Sequence, residues 1–119
     1  MHVWYMCHPV RGDGSVAAAA ANIARAKRWY TFLSEVWPDV ALNANWMIEV
    51  EVRRHEQEQE DAPARVLGLR RDAAVVRRMD AVVLVGGTIS TGMRCEIEAA
   101  ESAGIPIIDL TWLGSEPPP

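Results

Sequence analysis

No stretch of the 119-residue sequence approaches the roughly 18 consecutive apolar residues of a membrane-spanning helix. The opening Met1-His2-Val3-Trp4-Tyr5 also lacks the basic and apolar regions of a secretory signal, which sets the expectation of a cytoplasmic protein with no membrane partner. Cysteine is scarce: Cys7 and Cys95 stand far apart with no C-x-x-C spacing, so neither a zinc site nor a disulfide framework has support, and both read as buried thiols. His8 and His55 have no companions at metal-ligand spacing and are given no metal role. Positive charge is in deficit, with 12 Lys and Arg against 16 Asp and Glu and a net charge of −4. Such a field repels a polyanion, which excludes nucleic-acid polymers as partners while leaving room for a local basic pocket around one phosphate. What is present is the ordinary balance of a globular chain, 50% apolar and 24% charged, at a length that suits one domain and is too short for two.

Val3 to Cys7 is a short β-prone run followed by the turn-forming His8 to Gly14. From Ser15 to Val36 the chain is Ala-rich, and Ile23, Ala26, Tyr30 and Leu33 recur at helical spacing with no proline before Pro38. Asp39 to Asn43 reads as a second strand. The acidic segment from Met47 to Pro63 has no clean apolar stripe and reads as a solvated helix or a flap without a binding role. Beyond it, Val66, Leu69, Ala73 and Val76 predict a helix up to Met79, and Asp80 to Gly86 predicts a strand buried on both faces. A loop, Gly87 to Gly92, leads to a helix from Met93 to Ala103 stopped by Gly104, and then to a strand from Ile105 to Leu110. The domain is expected over residues 1–113, with Gly114 to Pro119 a disordered Pro-rich tail.

This alternation of strand and helix predicts a small doubly wound, flavodoxin- or Rossmann-like α/β fold of roughly four to five parallel strands, with helices on both faces. The order 2-1-3-4 puts a topological switch point between the first and third strands. Ligands in such sheets bind where loops diverge at the carboxyl ends, here His8–Gly14 and Gly86–Gly92.

Two carboxylates fall on the wrong sides of their helices at 100° per residue. Arg94, Glu98 and Glu101 share an outer face, yet Glu96 lies opposite them with Met93, Ala99, Ala100 and Ala103. Asp72 sits amid Leu69, Val75, Val76 and Met79, away from Arg70, Arg71, Arg77 and Arg78. An inward acid is either paired structurally or faces a solvent-filled site, and two of them beside a ligand loop favour a site. With Glu96 placed in the first turn of its helix, the helix N-terminus is expected to favour its ionised form, and the amides of Ser90, Thr91, Gly92 and Met93 are candidates to hold an anion. A plain N-cap at Ser90-Thr91-Gly92 explains those residues equally well.

Three segments resemble the nucleoside 2-deoxyribosyltransferase superfamily, and within it the 2′-deoxynucleoside 5′-phosphate N-hydrolases. They are Tyr5-Met6-Cys7-His8-Pro9-Val10-Arg11-Gly12, the strand Asp80-Ala81-Val82-Val83 followed by Ser90-x-Gly92-x-x-x-Glu96, and Asp72, eight residues before Asp80. Ile89 to Glu98 is also similar to small uncharacterised bacterial and phage proteins of that superfamily. The resemblance implies cleavage of the N-glycosidic bond of a nucleoside or its 5′-monophosphate, by hydrolysis or glycosyl transfer, in a homodimer or higher homo-oligomer. Glu96 would attack C1′, Asp72 would orient or protonate the leaving base, and Tyr5 would position Glu96. Arg11, Gly12, Ser90, Thr91, Gly92 and Met93 would hold substrate or phosphate, Asn43 or Asn45 would stand where the hydrolases use a histidine, and no metal or organic cofactor would be required. His8-Pro9 replaces a Gly-Ser pair, which removes one hydroxyl and one backbone donor.

Taken singly, Tyr5 reads as a strand-end packing residue, Arg11 as a surface arginine and Asp80 as structural. Trp29, Trp37 and Trp46 read as core before base pocket or subunit interface. Two alternatives stand beside the enzyme: a non-catalytic nucleotide-binding or sensing module on the same fold, and a structural dimer whose inward acids pair with arginines.

Overall fold

The computed structural model describes residues 1–57 and 63–119. Its elements run β1 (His2–Cys7), α1 (Val16–Val36), β2 (Val40–Asn43), α2 (Asn45–Gln57), α3 (Pro63–Val76), β3 (Ala81–Leu84), α4 (Thr91–Ser102) and β4 (Ile107–Asp109), followed by the 3-10 turn Thr111–Leu113. The four strands form one parallel sheet in the order β2-β1-β3-β4, with Tyr5 of β1 in register with Asn43 on one side and Val82 on the other. This is a doubly wound, Rossmann- or flavodoxin-like α/β fold. Right-handed crossovers place α1 on one face of the sheet and α2 to α4 on the opposite face, where α3 packs against both α2 and α4. Among the described residues, no helix is long and apolar enough to cross a membrane.

Local chemistry explains where the elements begin. Asp13 Oδ1 accepts from Ser15 N at 2.9 Å, and Ser15 Oγ caps α1 by accepting from Ala18 N at 3.1 Å. Inside α1, Ile23, Ala26, Trp29 and Leu33 are buried at helical spacing. All four residues of β3 are buried, as a strand covered on both faces requires. Asp80 is structural, its Oδ2 accepting from Val3 N at 2.7 Å.

Two expectations need correction, and the acidic segment takes the helical one of its two readings. The acidic segment is a helix over Asn45–Gln57 rather than a flap, because Trp46 and Val50, one turn apart, are buried and Trp46 Nε1 donates to Met6 O at 2.7 Å; the remainder of that segment, 58–62, lies outside the described residues. The Pro-rich tail is docked, not disordered. Trp29 Nε1 donates to Ser115 O at 2.8 Å, and Arg28 grips Glu116 with two bonds of 3.0 and 2.8 Å, joined by Arg25 at 3.4 Å. Finally, Cys7 is buried as expected, but Cys95 is only half-buried.

Candidate functional site

At the carboxyl end of the sheet, where the chain leaves β1 and β3 in opposite directions, the molecule opens a cavity of about 550 Å3. Its walls are the loop His8 to Gly14, Trp46 and Val50 of α2, one face of α3, and the run from Thr88 to Met93 with Glu96 of α4. The first loop is pinned from behind by Asn22, whose Nδ2 donates to Val10 O at 3.0 Å. Gly12 turns with φ +56°, and a Cβ there would stand 3.0 Å from Ala18 Cβ, so glycine is required where the loop meets α1.

Glu96 and Asp72 line this one cavity from neighbouring helices. Glu96 is 7% exposed. Tyr5 and Cys7, which alternate onto the same face of β1, abut its carboxyl and favour its ionised form; the contact to Tyr5 Oη is loose, short of regular hydrogen-bond geometry. Burial outweighs them and, helped by the charge of Asp72, pushes the Glu96 carboxyl up to about 8. Asp72 is pushed up to about 7, chiefly by burial and then by Glu49. Glu49 is itself nearly covered and pairs with Arg71 at 3.1 Å. Against both shifts stands Arg65, whose positive charge lowers Asp72 and Glu96 alike.

The expectation that the helix N-terminus would keep Glu96 ionised therefore fails. Ser90 is the N-cap and α4 begins at Thr91, which puts Glu96 in the second turn, beyond the reach of the terminal partial charge. The anion-holding amides are also fewer than expected. Ser90 Oγ accepts from Met93 N at 3.2 Å and Ser90 N faces Met93 Sδ at 3.5 Å, so those two donors serve the cap. Thr91 and Gly92 carry the first-turn amides that the helix itself leaves unsatisfied.

Of the other expected site residues, Arg11 and Gly12 line the cavity with Ser90, Thr91, Gly92 and Met93. Tyr5 is fully buried behind Glu96 rather than on the wall. Asn43 is not on the wall either: its Oδ1 accepts from Asn45 N at 3.1 Å and opens α2. Four residues not named as site residues from the sequence belong here, namely Cys7, His8, Trp46 and Arg65. Cys7 is two residues from Tyr5 on a strand, and Arg65 seven before Asp72 on a helix, so each shares a face with a candidate that was recognised. His8 is 3% exposed and its Nδ1 donates to Pro9 O at 2.7 Å, which makes the neutral ring a Nδ1–H tautomer. Burial lowers His8 to about 4.

The family model described as a domain of unknown function, DUF7768, matches residues 2–110. The chain belongs to this family. No curated protein and no solved structure matches it. The matched span of the DUF7768 chain takes in every element that lines the cavity and stops short of the 3-10 turn and the docked tail. Among the described residues no group of three His, Cys, Asp or Glu side chains is arranged to hold a metal ion.

Proposed function

We propose that this DUF7768 chain cleaves the N-glycosidic bond of a nucleoside or nucleoside 5′-monophosphate, with Glu96 as nucleophile. The observation that carries the reading is the buried Glu96 at the cavity floor, backed by Tyr5 and Cys7 and facing Asp72. The similarity of the first strand, the Ser90–Glu96 run and Asp72 to the nucleoside 2-deoxyribosyltransferase superfamily supports it, as does a cavity of a size common for small-ligand sites.

In this mechanism a Glu96 oxygen bonds to C1′ as the C1′–N bond breaks. The electron pair leaves with the base, which takes a proton from Asp72. Water, or a second base, then attacks C1′ and gives its proton to the now ionised Asp72 as the bond to Glu96 breaks, the stereochemical logic of retaining glycosidases. Arg11 and the amides of Thr91 and Gly92 hold the anionic end of the substrate. The reactive form carries one proton on the Glu96–Asp72 pair, placed on Asp72; this is the minority placement, because Glu96 is the weaker acid of the two.

The test is paired. Glu96→Gln keeps the size of the side chain and removes the attacking charge, so nucleotide affinity by calorimetry should persist while base release by chromatography falls by orders of magnitude. One observation favours the second reading, a binding or sensing module: a carboxyl held near 8 is largely neutral at pH 7 and suits hydrogen bonding to a ligand better than attack. That module releases no base from either protein. Undiminished release from Glu96→Gln sinks the role of Glu96.

A further inference from the structure

Arg65 stands in the first turn of α3, and its placement relative to the carboxyls is the least expected feature of the cavity. It shares the cavity-facing stripe of α3 with Leu69 and Asp72. Its Nη2 lies 3.5 Å from where a Gly92 side chain would begin, so the guanidinium rests on the first turn of α4, in space left open by a residue without a side chain. Its Nε is buried. The guanidinium thus bridges the helix that carries Asp72 and the helix that carries Glu96.

We propose that Arg65 is a positioning residue for the Asp72–Glu96 pair, its guanidinium fixing one negative charge on the two carboxyls. The inference deepens the glycosidase reading, on which it rests for its catalytic consequence alone. A cation beside an oxocarbenium-like transition state would oppose the reaction through direct contact, so the favourable role of Arg65 lies in charging the nucleophile before attack. The other ionisable groups that act on the two carboxyls work differently. From β1, Tyr5 and Cys7 are neutral and abut Glu96, favouring its ionised form; from α2, Glu49 raises Asp72, although Arg71 holds it in an ion pair; and Asp72 raises Glu96. Arg65 is the fixed charge in this set that acts on both carboxyls together, and a guanidinium does not lose it at any relevant pH.

The experiment follows the side-chain carboxyl carbons of Glu96 and Asp72 by carbon-13 NMR through a pH titration of the full chain, Arg65→Gln and Arg65→Lys. Loss of the charge in Arg65→Gln should move both titrations upward by about one pH unit, and Arg65→Lys should restore most of the difference. Unmoved titrations in Arg65→Gln overturn the proposal, as do equal shifts in the two variants, since those would reflect lost packing rather than lost charge. Base release against pH is measured on the same three proteins. If release occurs, its acid limb should shift with the titrations; a limb that stays put while they move overturns the catalytic consequence. If no protein releases base, the glycosidase reading fails while the titrations still decide what Arg65 does.

Discussion

At the scale of single residues, the site is governed by how much water each carboxyl has lost. Glu96 and Asp72 both sit above their ordinary range because burial disfavours charge more than Tyr5, Cys7 and Arg65 favour it. A reaction that needs one proton on the pair should therefore show a narrow bell-shaped rate profile with its maximum between about 7 and 8. A rate still rising above pH 9 would mean that a doubly ionised pair is the active form. Glu96→Gln should also stabilise the fold where the native side chain is forced to ionise, by on the order of 2–4 kcal/mol at pH 9. Urea unfolding at pH 9 and pH 5 separates this from a packing effect, which would be the same at both. Ser90→Ala should cost about 1 kcal/mol through loss of the α4 cap and weaken turnover of monophosphates more than that of nucleosides. Equal losses on both substrates would deny Ser90 the phosphate-holding role proposed for it. The inward acids were legible from helical periodicity alone. Their protonation was not, because desolvation depends on what three other elements bring against them, and Arg65 escaped notice because a first-turn arginine beside Pro63 looks like an ordinary solvated residue.

Elements are joined behind the cavity by a contact that two glycines allow. Gly86 has φ +104°, and a Cβ there would lie 2.7–2.8 Å from the His8 ring and Pro9 Cδ, so the loop after β3 can press against the loop after β1 only without a side chain. A Cβ at Gly87, with φ +83°, would lie 2.9–3.1 Å from the backbone of Gly114 and Ser115, so the docked tail runs over the same loop. Gly104 supplies a control, since it also has positive φ but open space around its Cβ position. Gly104→Ala should cost about 1 kcal/mol of backbone strain, and Gly86→Ala at least twice that because a clash is added. Denaturant midpoints measure both, and equal costs would deny the tight apposition of the two loops. Strand order and most element positions could be read from the sequence because each βα unit announces itself locally, by an apolar run, a turn and a periodic stripe. The docking of the tail could not, since Trp29, Arg25 and Arg28 lie more than eighty residues away from their partners in the chain, while composition around three terminal prolines signals only the absence of helix and strand.

For the whole molecule, buried groups of opposite kind set opposing slopes of stability against pH. His8 is held neutral in the fold, down to about 4, whereas an unfolded chain protonates it near 6.5. Its contribution is thus complete above about 6.5 and is lost as the pH falls toward 4. Asp72 and Glu96 have the reverse sign: their folded values, about 7 and 8, lie above the unfolded ones, so the fold binds their protons more tightly and gains as the pH falls from about 8 toward 4.5. Two carboxyls against one imidazole leave a net gain on acidification, and the protein should be more stable at pH 5 than at pH 7.5, by on the order of 2 kcal/mol. Most proteins with salt-bridged carboxylates behave in the opposite way over that interval. Replacing both acids, Asp72→Asn with Glu96→Gln, removes the favourable slope and exposes that of His8, so the double variant should be less stable at pH 5 than at pH 7.5. Adding His8→Gln should then flatten the dependence. Urea unfolding of the three proteins at the two pH values decides the matter, and a native chain that loses stability on going from pH 7.5 to pH 5 would show that its two cavity carboxyls titrate in the ordinary range.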